Sequence, residues 1–352
     1  MEYEHNRDFK VIAVKDPFYI QWHITNLCNL RCKHCYQDDF SKTNDLDRPG
    51  LKKVSENIFS ALREWDQTAC IHLTGGEPLL KPELFLLLND LNQQSAVEEL
   101  GIITNGLLID PELTRRLSDF SKLKKMKISL DGGDAETNDS LRRRGTFKKV
   151  IQNLSYIKEG GRFEILLMFT IMKRNFKSLS SFLRLCQDLG IDGLIIERFI
   201  PLGRGKEIVN EVLSQEEWKE MIGMLLGFSS IEGEEPSFLP YQAFQMSFNG
   251  EEPELLGAPC VIGKDGICVM PNGDVLPCRR FPISIGNLLK GSLKTIWEKS
   301  ELLEKLRRKE NLKGKCGECE IEDCRGCRSL ALALTGDYLS EDPHCWYHEP
   351  IL

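Results

Sequence analysis

The chain has no apolar run approaching the roughly eighteen residues that a membrane-spanning helix needs, so no membrane partner is expected. Its first residues, Met1 to Asp8, are charged rather than apolar, which leaves no secretory signal and points to the cytoplasm. Positive charge is not in excess either: 46 Lys and Arg stand against 53 Asp and Glu, a net charge of −7. Nucleic acid needs a basic face, and Arg142, Arg143 and Arg144 form only a local patch, so no nucleic-acid partner is expected. Length is not limiting, because 352 residues suffice for two domains with full cores.

What abounds is cysteine. Thirteen residues of this type are too many for an ordinary cytosolic enzyme. Their clustering at Cys28 to Cys35 and at Cys260 to Cys345 favours metal ligation over a disulfide framework. The first group, Cys28, Cys32 and Cys35, has the spacing Cys-x3-Cys-x2-Cys and supplies three thiolates. A structural zinc site is closed by four ligands, whereas an iron-sulfur cluster can be held by three cysteines with one iron left open to a substrate. On spacing alone, zinc completed by His34 or by a distant ligand stands as the alternative.

About forty residues further on, Ala69-Cys70-Ile71-His72-Leu73-Thr74-Gly75-Gly76-Glu77-Pro78 reads as a short apolar strand ending in a glycine turn with one carboxylate. Glycines let backbone approach a ligand, and an ionised Glu77 would accept hydrogen bonds from an ammonium group. In this order the two motifs resemble the radical S-adenosylmethionine (radical SAM) superfamily. The resemblance implies a [4Fe-4S] cluster on Cys28, Cys32 and Cys35, which makes them the catalytic cysteines, and S-adenosylmethionine on the open iron. It further implies reductive cleavage of that cofactor to methionine and a 5′-deoxyadenosyl radical, which takes a hydrogen atom from the substrate.

Between Phe18 and Ile200 short β-type runs alternate with helical patterns, the signature of a parallel α/β fold. Strands are expected at Tyr19–Thr25, Cys70–Thr74, Leu100–Thr104, Met126–Leu130, Phe163–Ile171 and Leu194–Ile200. Leu51, Val54, Ile58, Leu62 and Trp65 recur at helical steps and make one stripe that packs on a sheet. Six strands suit the partial (β/α)6 TIM-type barrel of the resembled family.

Ligands of such folds gather at the carboxyl ends of the strands, and five turn motifs fall there: the triad, Gly75-Gly76-Glu77, Thr104-Asn105-Gly106, Ser129-Leu130-Asp131-Gly132 and Pro201-Leu202-Gly203-Arg204-Gly205. The resemblance assigns cofactor contacts to them. Gly75, Gly76 and Glu77 would hold the methionine amino group, Ser129 the ribose, Arg142 the methionine carboxylate, with Arg143 its nearest rival, and the backbone at Leu202 the adenine. Tyr36 would lie near the adenine, and Asn105 is included among the cofactor-binding residues. Asn138 stands where relatives often have histidine.

The domain division expected is a barrel over 1–228, a bridge over 229–259 rich in Glu, Gly, Pro and Ser, and a cysteine-rich domain over 260–352. The charge run Glu232-Gly233-Glu234-Glu235 reads as a solvated face. From Cys260 the pattern is Cys260-x12-Gly273-x4-Cys278, then Cys316-x2-Cys319-x4-Cys324-x2-Cys327, then Cys345. Met270 to Val275 reads as a hairpin turn that brings Cys260 and Cys278 together, and Ser292 to Arg308 as helix, with Leu293, Ile296 and Trp297 packing. A zinc ribbon on Cys316, Cys319, Cys324 and Cys327 is the bland alternative.

This second group resembles the SPASM domain, an extension of radical SAM peptide maturases with two auxiliary [4Fe-4S] clusters, which would make three clusters in all. By that resemblance Cys260, Cys278 and Cys327 hold the inner auxiliary cluster, and Cys316, Cys319, Cys324 and Cys345 the outer one. Cys268 is either the fourth inner ligand or a spectator beside an open iron. Cys70 and Cys186 have no metal spacing and read as small buried apolar residues.

The reaction implied is oxidative, with the auxiliary clusters taking or relaying the electron given up by a substrate radical. The favoured substrate is a ribosomally made peptide that gains a thioether, carbon-carbon or heterocyclic link, with flavodoxin or ferredoxin as reductant. Only 27 residues precede Cys28, so leader recognition would need a separate protein or the barrel mouth. An anaerobic sulfatase maturase is disfavoured because Arg279 and Arg280 follow Cys278 where those relatives carry an aspartate base. A tetrapyrrole side-chain enzyme of the haem pathways is the main rival, since the same arginines would meet a propionate. A non-catalytic iron-sulfur electron carrier would need neither the Glu77 turn nor the Ser129 loop.

Overall fold

In the computed structural model of the protein, residues 16–160, 162–229, 241–321 and 324–347 are described. Met1 to Asp8 and the Glu232 to Glu235 run lie outside the described residues. Six parallel strands follow in chain order across the sheet: β1 (Phe18–His23), β2 (Ala69–Thr74), β3 (Val97–Thr104), β4 (Leu123–Ser129), β5 (Glu164–Ile171) and β6 (Gly193–Arg198). Parallel neighbours need crossovers, and helices supply them. They are α1 (Arg48–Trp65), α2 (Leu84–Asn92), α3 (Pro111–Leu117), α4 (Ala135–Leu141), α5 (Thr146–Gly160), α6 (Lys173–Phe176) and α7 (Leu179–Asp188), with α8 (Gln215–Phe228) after β6. The result is the partial α/β barrel expected.

Local chemistry explains these elements. Asp47 caps α1 by accepting from the Gly50 N–H at 3.0 Å, Pro49 sits in its first turn, and Asp66 ends it in a left-handed conformation at φ 50°. Leu51, Val54, Ile58 and Leu62 bury the expected stripe. The strands alternate. Ile20, Trp22, Ile71, Leu73, Ile102, Ile128, Leu167, Phe169 and Ile196 pack in the helix-covered core. Tyr19, Gln21, His72, Glu99, Lys125, Lys127, Ser129 and Glu197 take the opposite, concave face. Cys70 belongs to this concave face and is half-buried, which corrects the expectation of a buried apolar residue; Cys186 is fully buried as expected. β1 ends before Thr25, whose side chain instead bonds Asp45 and opens the cysteine loop.

The sheet does not stop at six strands. Among the described residues it has eleven, because β9 (Gly266–Val269) pairs in parallel with β1 and continues through β10 (Asp274–Leu276) to β11 (Gly286–Asn287). At the other edge β7 (Tyr241–Ser247) and β8 (Glu254–Pro259) form an antiparallel hairpin beside β6. Part of the segment read as a bridge is therefore sheet. Its two-residue alternation, with Phe244 and Met246 buried, is masked in sequence by the flanking Pro and Gly. β1 and β6 are thereby paired on both sides, and the edges of the sheet pass to β11 and β8.

The turn from Met270 to Asp274 is the expected hairpin, with Gly273 at φ +84°. The helix expected over Ser292 to Arg308 is split into α9 (Leu293–Lys299) and α10 (Glu301–Arg307), because Ser300 caps the second helix by accepting from Leu303 N–H. Trp297 packs edge-on against Phe18 at 5.1 Å and joins this region to the barrel. Short helices α11 (Lys315–Glu318) and α12 (Arg328–Thr335) carry the last cysteine run. Among the described residues no helix is long and apolar enough to cross a membrane.

Candidate active site

The cysteine loop after β1 is tied down on every side. Lys33 N–H donates to Leu141 O at 2.9 Å, Gly205 N–H to Cys35 O at 3.0 Å, and Gln37 Nε2 to Asn26 O at 2.5 Å. Cys28, Cys32 and Cys35 thereby line one cavity at the carboxyl ends of the strands, about 1100 Å³ including its open mouth. Burial pushes all three thiols up, Cys32 to about 12, so a bare thiolate is disfavoured there and a cation is required to hold one. Three thiols converging on a roomy cavity, with the Leu30 N–H 3.4 Å from Cys28 Sγ, fit an iron-sulfur cluster with one iron left open.

Among the described residues no three Cys, His, Asp or Glu side chains are placed to hold one metal ion. His34 Nε2 is turned to Asp131 Oδ2 at 3.2 Å, and burial brings this imidazole down to about 4.

The glycines of the second motif are required by close approach. A Cβ on Gly75 would lie 2.3 Å from Thr25 O, and one on Gly76 would lie 2.4 Å from both Asn26 O and Leu27 O. The turn is thus pressed against the cysteine loop and bonded to it by Gly76 N–H to Thr25 O and Glu77 N–H to Leu27 O, both 2.8 Å. Glu77 differs from expectation. It is fully buried and is absent from the cavity wall, which Gly75, Gly76, Thr104 and Asn105 form instead.

The Glu77 carboxylate accepts from Thr104 Oγ1 at 2.7 Å, Asn105 N–H at 2.8 Å and Leu79 N–H at 3.1 Å. Burial lifts this carboxyl up to about 7 against those three bonds. It thereby holds Asn105, whose Nδ2 donates to Asn29 Oδ1 at 2.7 Å in the cysteine loop.

Ser129 and Arg142 both line the cavity. Arg142 Nε stands 2.7 Å from the fully buried Asp131 Oδ2, a pairing that the local pattern of the loop did not single out. Arg143, the expected rival, donates to Asn29 O in the cysteine loop at 3.4 Å and is not among the residues that line the cavity. Asn138, in the place of the usual histidine, donates from Nδ2 to Thr146 Oγ1 at 3.0 Å and accepts from Asp131 N–H at 3.1 Å, bracing the same loop.

Tyr36 lines this cavity and a second one of about 1050 Å³ beside it. Leu202 and Gly203 line only the second. Gly203, at φ +51°, is pressed against the Tyr36 backbone, so Leu202 stands beside Tyr36 in the second cavity. Between the cavities stands Arg279, whose guanidinium lies 4.1 Å over the Tyr36 ring and whose Nε donates to His23 Nδ1 at 3.3 Å. Arg280 reaches the first cavity too, paired with Glu197 at 3.3 Å.

The later cysteines sort into two groups. Cys316, Cys319, Cys324 and Cys345 line one cavity of about 370 Å³ together with Arg198 and Asp342. Cys260 and Cys278 pack around Ile262, Phe281 and Leu306, with Cys327 in electrostatic reach. A zinc ribbon would instead have needed Cys327 with Cys316, Cys319 and Cys324. Cys268 is buried in β9, its Sγ 3.9 Å from Met270 Sδ. Arg198, unmarked in the sequence, joins the regions: it bonds Asp342 at 2.8 Å and lines both the first and the last of these cavities. Asp342 in turn accepts from Cys327 N–H at 2.7 Å.

The Radical SAM superfamily profile matches residues 22–189, and that of the SPASM iron-sulfur cluster-binding domain matches residues 260–328. An AdoMet-dependent heme synthase of Methanosarcina barkeri is 29% identical over 351 residues, covering 94% of this chain and 97% of that one. The mycofactocin maturase MftC of Mycolicibacterium smegmatis is 28% identical over 345 residues, covering 94% and 82%. Among solved structures, native anSMEcpe with bound AdoMet and a Cp18Cys peptide superposes with a TM-score of 0.70 at 19% identity, covering 94% of each chain.

Proposed function

Since the chain belongs to the radical SAM superfamily and carries a C-terminal SPASM domain, we propose that it oxidises a carboxylate-bearing substrate, in the first instance the propionate side chains of a haem-type tetrapyrrole. When bound, a [4Fe-4S] cluster on Cys28, Cys32 and Cys35 with S-adenosylmethionine supplies a 5′-deoxyadenosyl radical for hydrogen-atom removal, and two further clusters on the later cysteines supply an electron acceptor. Flavodoxin or ferredoxin is the expected reductant, in the reducing cytoplasm that thiolate ligands favour.

The chain's own residues shape the rest. Gly75, Gly76, Asn105, Ser129 and Arg142 offer the cofactor backbone and polar groups along one wall. Tyr36 closes the side toward the second cavity.

Arg279 carries the substrate reading. It is only 8% exposed in the cavity wall, and among the described residues no carboxylate pairs with it, unlike Arg142, Arg198 and Arg280. A buried guanidinium without a counter-charge is ready for one, and it binds carboxylate by a two-pronged fork. Loss of one hydrogen atom, one electron and carbon dioxide turns a propionate into a vinyl group without a base, so an arginine following Cys278 is compatible with that chemistry. The whole-length likeness to AdoMet-dependent heme synthases supports the same choice.

A second reading, maturation of a ribosomal peptide, rests on the mycofactocin maturases and on the peptide-bound neighbour of the same fold. Reconstituted protein given reductant, S-adenosylmethionine and either iron coproporphyrin III, which bears four propionates, or a candidate precursor peptide decides between them. 5′-Deoxyadenosine with a porphyrin lighter by the elements of formic acid is expected. A modified peptide with an unchanged porphyrin would install the second reading.

A further inference from the structure

On the concave face of the barrel the charges pair off. Lys125 Nζ lies 3.2 Å from Glu99 Oε1 and 3.6 Å from Glu164 Oε2, and Arg280 meets Glu197 at the rim. Lys127, two residues further along β4, does not conform. Among the described residues its side chain makes no hydrogen bond and no ion pair, although it is half-buried. A half-buried ammonium without an ion-pair partner gives up part of its hydration, and an apolar side chain would fill the same space without that cost.

Its position gives the cation a use. Ile103, its register partner on β3, and Ser129, two residues on along β4, both line the first cavity, so Lys127, itself outside the lining, stands beneath that space. β4 rises about 6.6 Å over two residues, a span that a four-carbon stem nearly covers. Two cations thus stand at this space with no carboxylate within ion-pair distance among the described residues, Arg279 in the wall and Lys127 beneath the floor, where Glu197, Glu99 and Glu164 act on it only from further off. We propose that Lys127 anchors a second carboxylate of the substrate, so that the site selects molecules with at least two carboxylates set apart across the barrel mouth.

This rests on the carboxylate reading of the site and deepens it. Burial first, and then Lys125, hold the Lys127 ammonium down to about 8, against the pull of Glu197, Glu99 and Glu164. The other titratable groups facing it, His72 and Cys70, are brought by burial to about 3 and about 11. The lysine therefore loses its charge as pH rises through about 8, and anchoring is lost with it.

The test is anaerobic equilibrium binding of iron coproporphyrin III to the full-length, cluster-loaded protein, followed by the porphyrin absorbance, with iron content as the check on folding. Lys127→Met is expected to weaken binding roughly ten- to a hundredfold near neutral pH, the range of a charged hydrogen bond, and Lys127→Arg to restore most of it. Wild-type affinity is expected to fall as pH rises through about 8, with Lys127→Met flat over the same range. Equal affinity of wild type and Lys127→Met overturns the proposal. If the Met variant does not hold its iron, a flat wild-type pH profile overturns it instead. Porphyrin binding to none of the proteins overturns the tetrapyrrole reading together with this one, whereas undiminished binding to the variant overturns this one alone.

Discussion

Arg142 and Asp131 offer the most exacting test of how the cofactor wall is held. Asp131 is 0% exposed, and the Arg142 side chain beside it at 2.7 Å is 9% exposed, so neither charge can turn to water when its partner is removed. Asp131 also accepts from Thr170 N–H at 2.9 Å and faces His34, which ties β4, β5 and the cysteine loop to one carboxylate. Removing one member of such a pair costs about 3–5 kcal/mol, whereas removing both together costs far less, because no uncompensated charge remains. Arg142→Met is therefore expected to lower stability by about 4 kcal/mol. Asp131→Asn should be comparably damaging, and the double variant should recover at least about 2 kcal/mol of the summed loss. The assay is urea denaturation of iron-loaded protein under anaerobic conditions, followed by tryptophan fluorescence. If the double variant loses the full sum of the single losses, the two side chains are not coupled and the account of the wall is wrong.

Replacing Glu77 by Gln sets an amide NH2 against one of three donors; with the Asn105 N–H orphaned, stability should fall by about 1–3 kcal/mol in the same assay. In the wild type, the Glu77 carboxyl rises from 4.5 to about 7 on folding, so the folded state holds a proton that the unfolded chain has released. Stability should accordingly drop by about 3 kcal/mol as pH climbs from 4.5 to about 7, a slope that Glu77→Gln should abolish. Gly76→Ala should displace the cysteine loop, since the new methyl would meet two carbonyl oxygens at 2.4 Å, and a normal iron content in that variant would contradict the required contact. Cys268, with its sulfur against Met270, should act as a spectator: Cys268→Ala should keep the iron and sulfide content of the wild type while Cys260→Ala lowers it.

Much of the barrel was legible because its signals are local. Each of β1 to β6 overlaps its expected strand, and the stripe on α1 and the hairpin near Gly273 followed from spacing alone. What was misjudged depended on distance along the chain. Nothing near Glu77 in sequence announces Thr104 and Asn105 as its hydrogen-bond partners. Cys70 looked apolar because its neighbours are, yet the strand's alternation turns it inward with His72. The segment over 229–259 looked like a bridge because Pro and Gly surround the alternating residues of β7.

By itself the sequence determined the donor sets: three thiols at fixed spacing, glycines where two loops touch, and a second run of cysteines, all written in short intervals that survive without any fold. Only the tertiary structure decided what faces what. β9 joins β1 across more than two hundred residues, Asp131 meets Arg142, Arg198 bridges two cavities, and Arg279 and Lys127 are left as cations without a carboxylate partner. The physical reason is that spacing specifies which groups a segment carries, whereas burial and pairing of charge arise only when distant segments close around the same space.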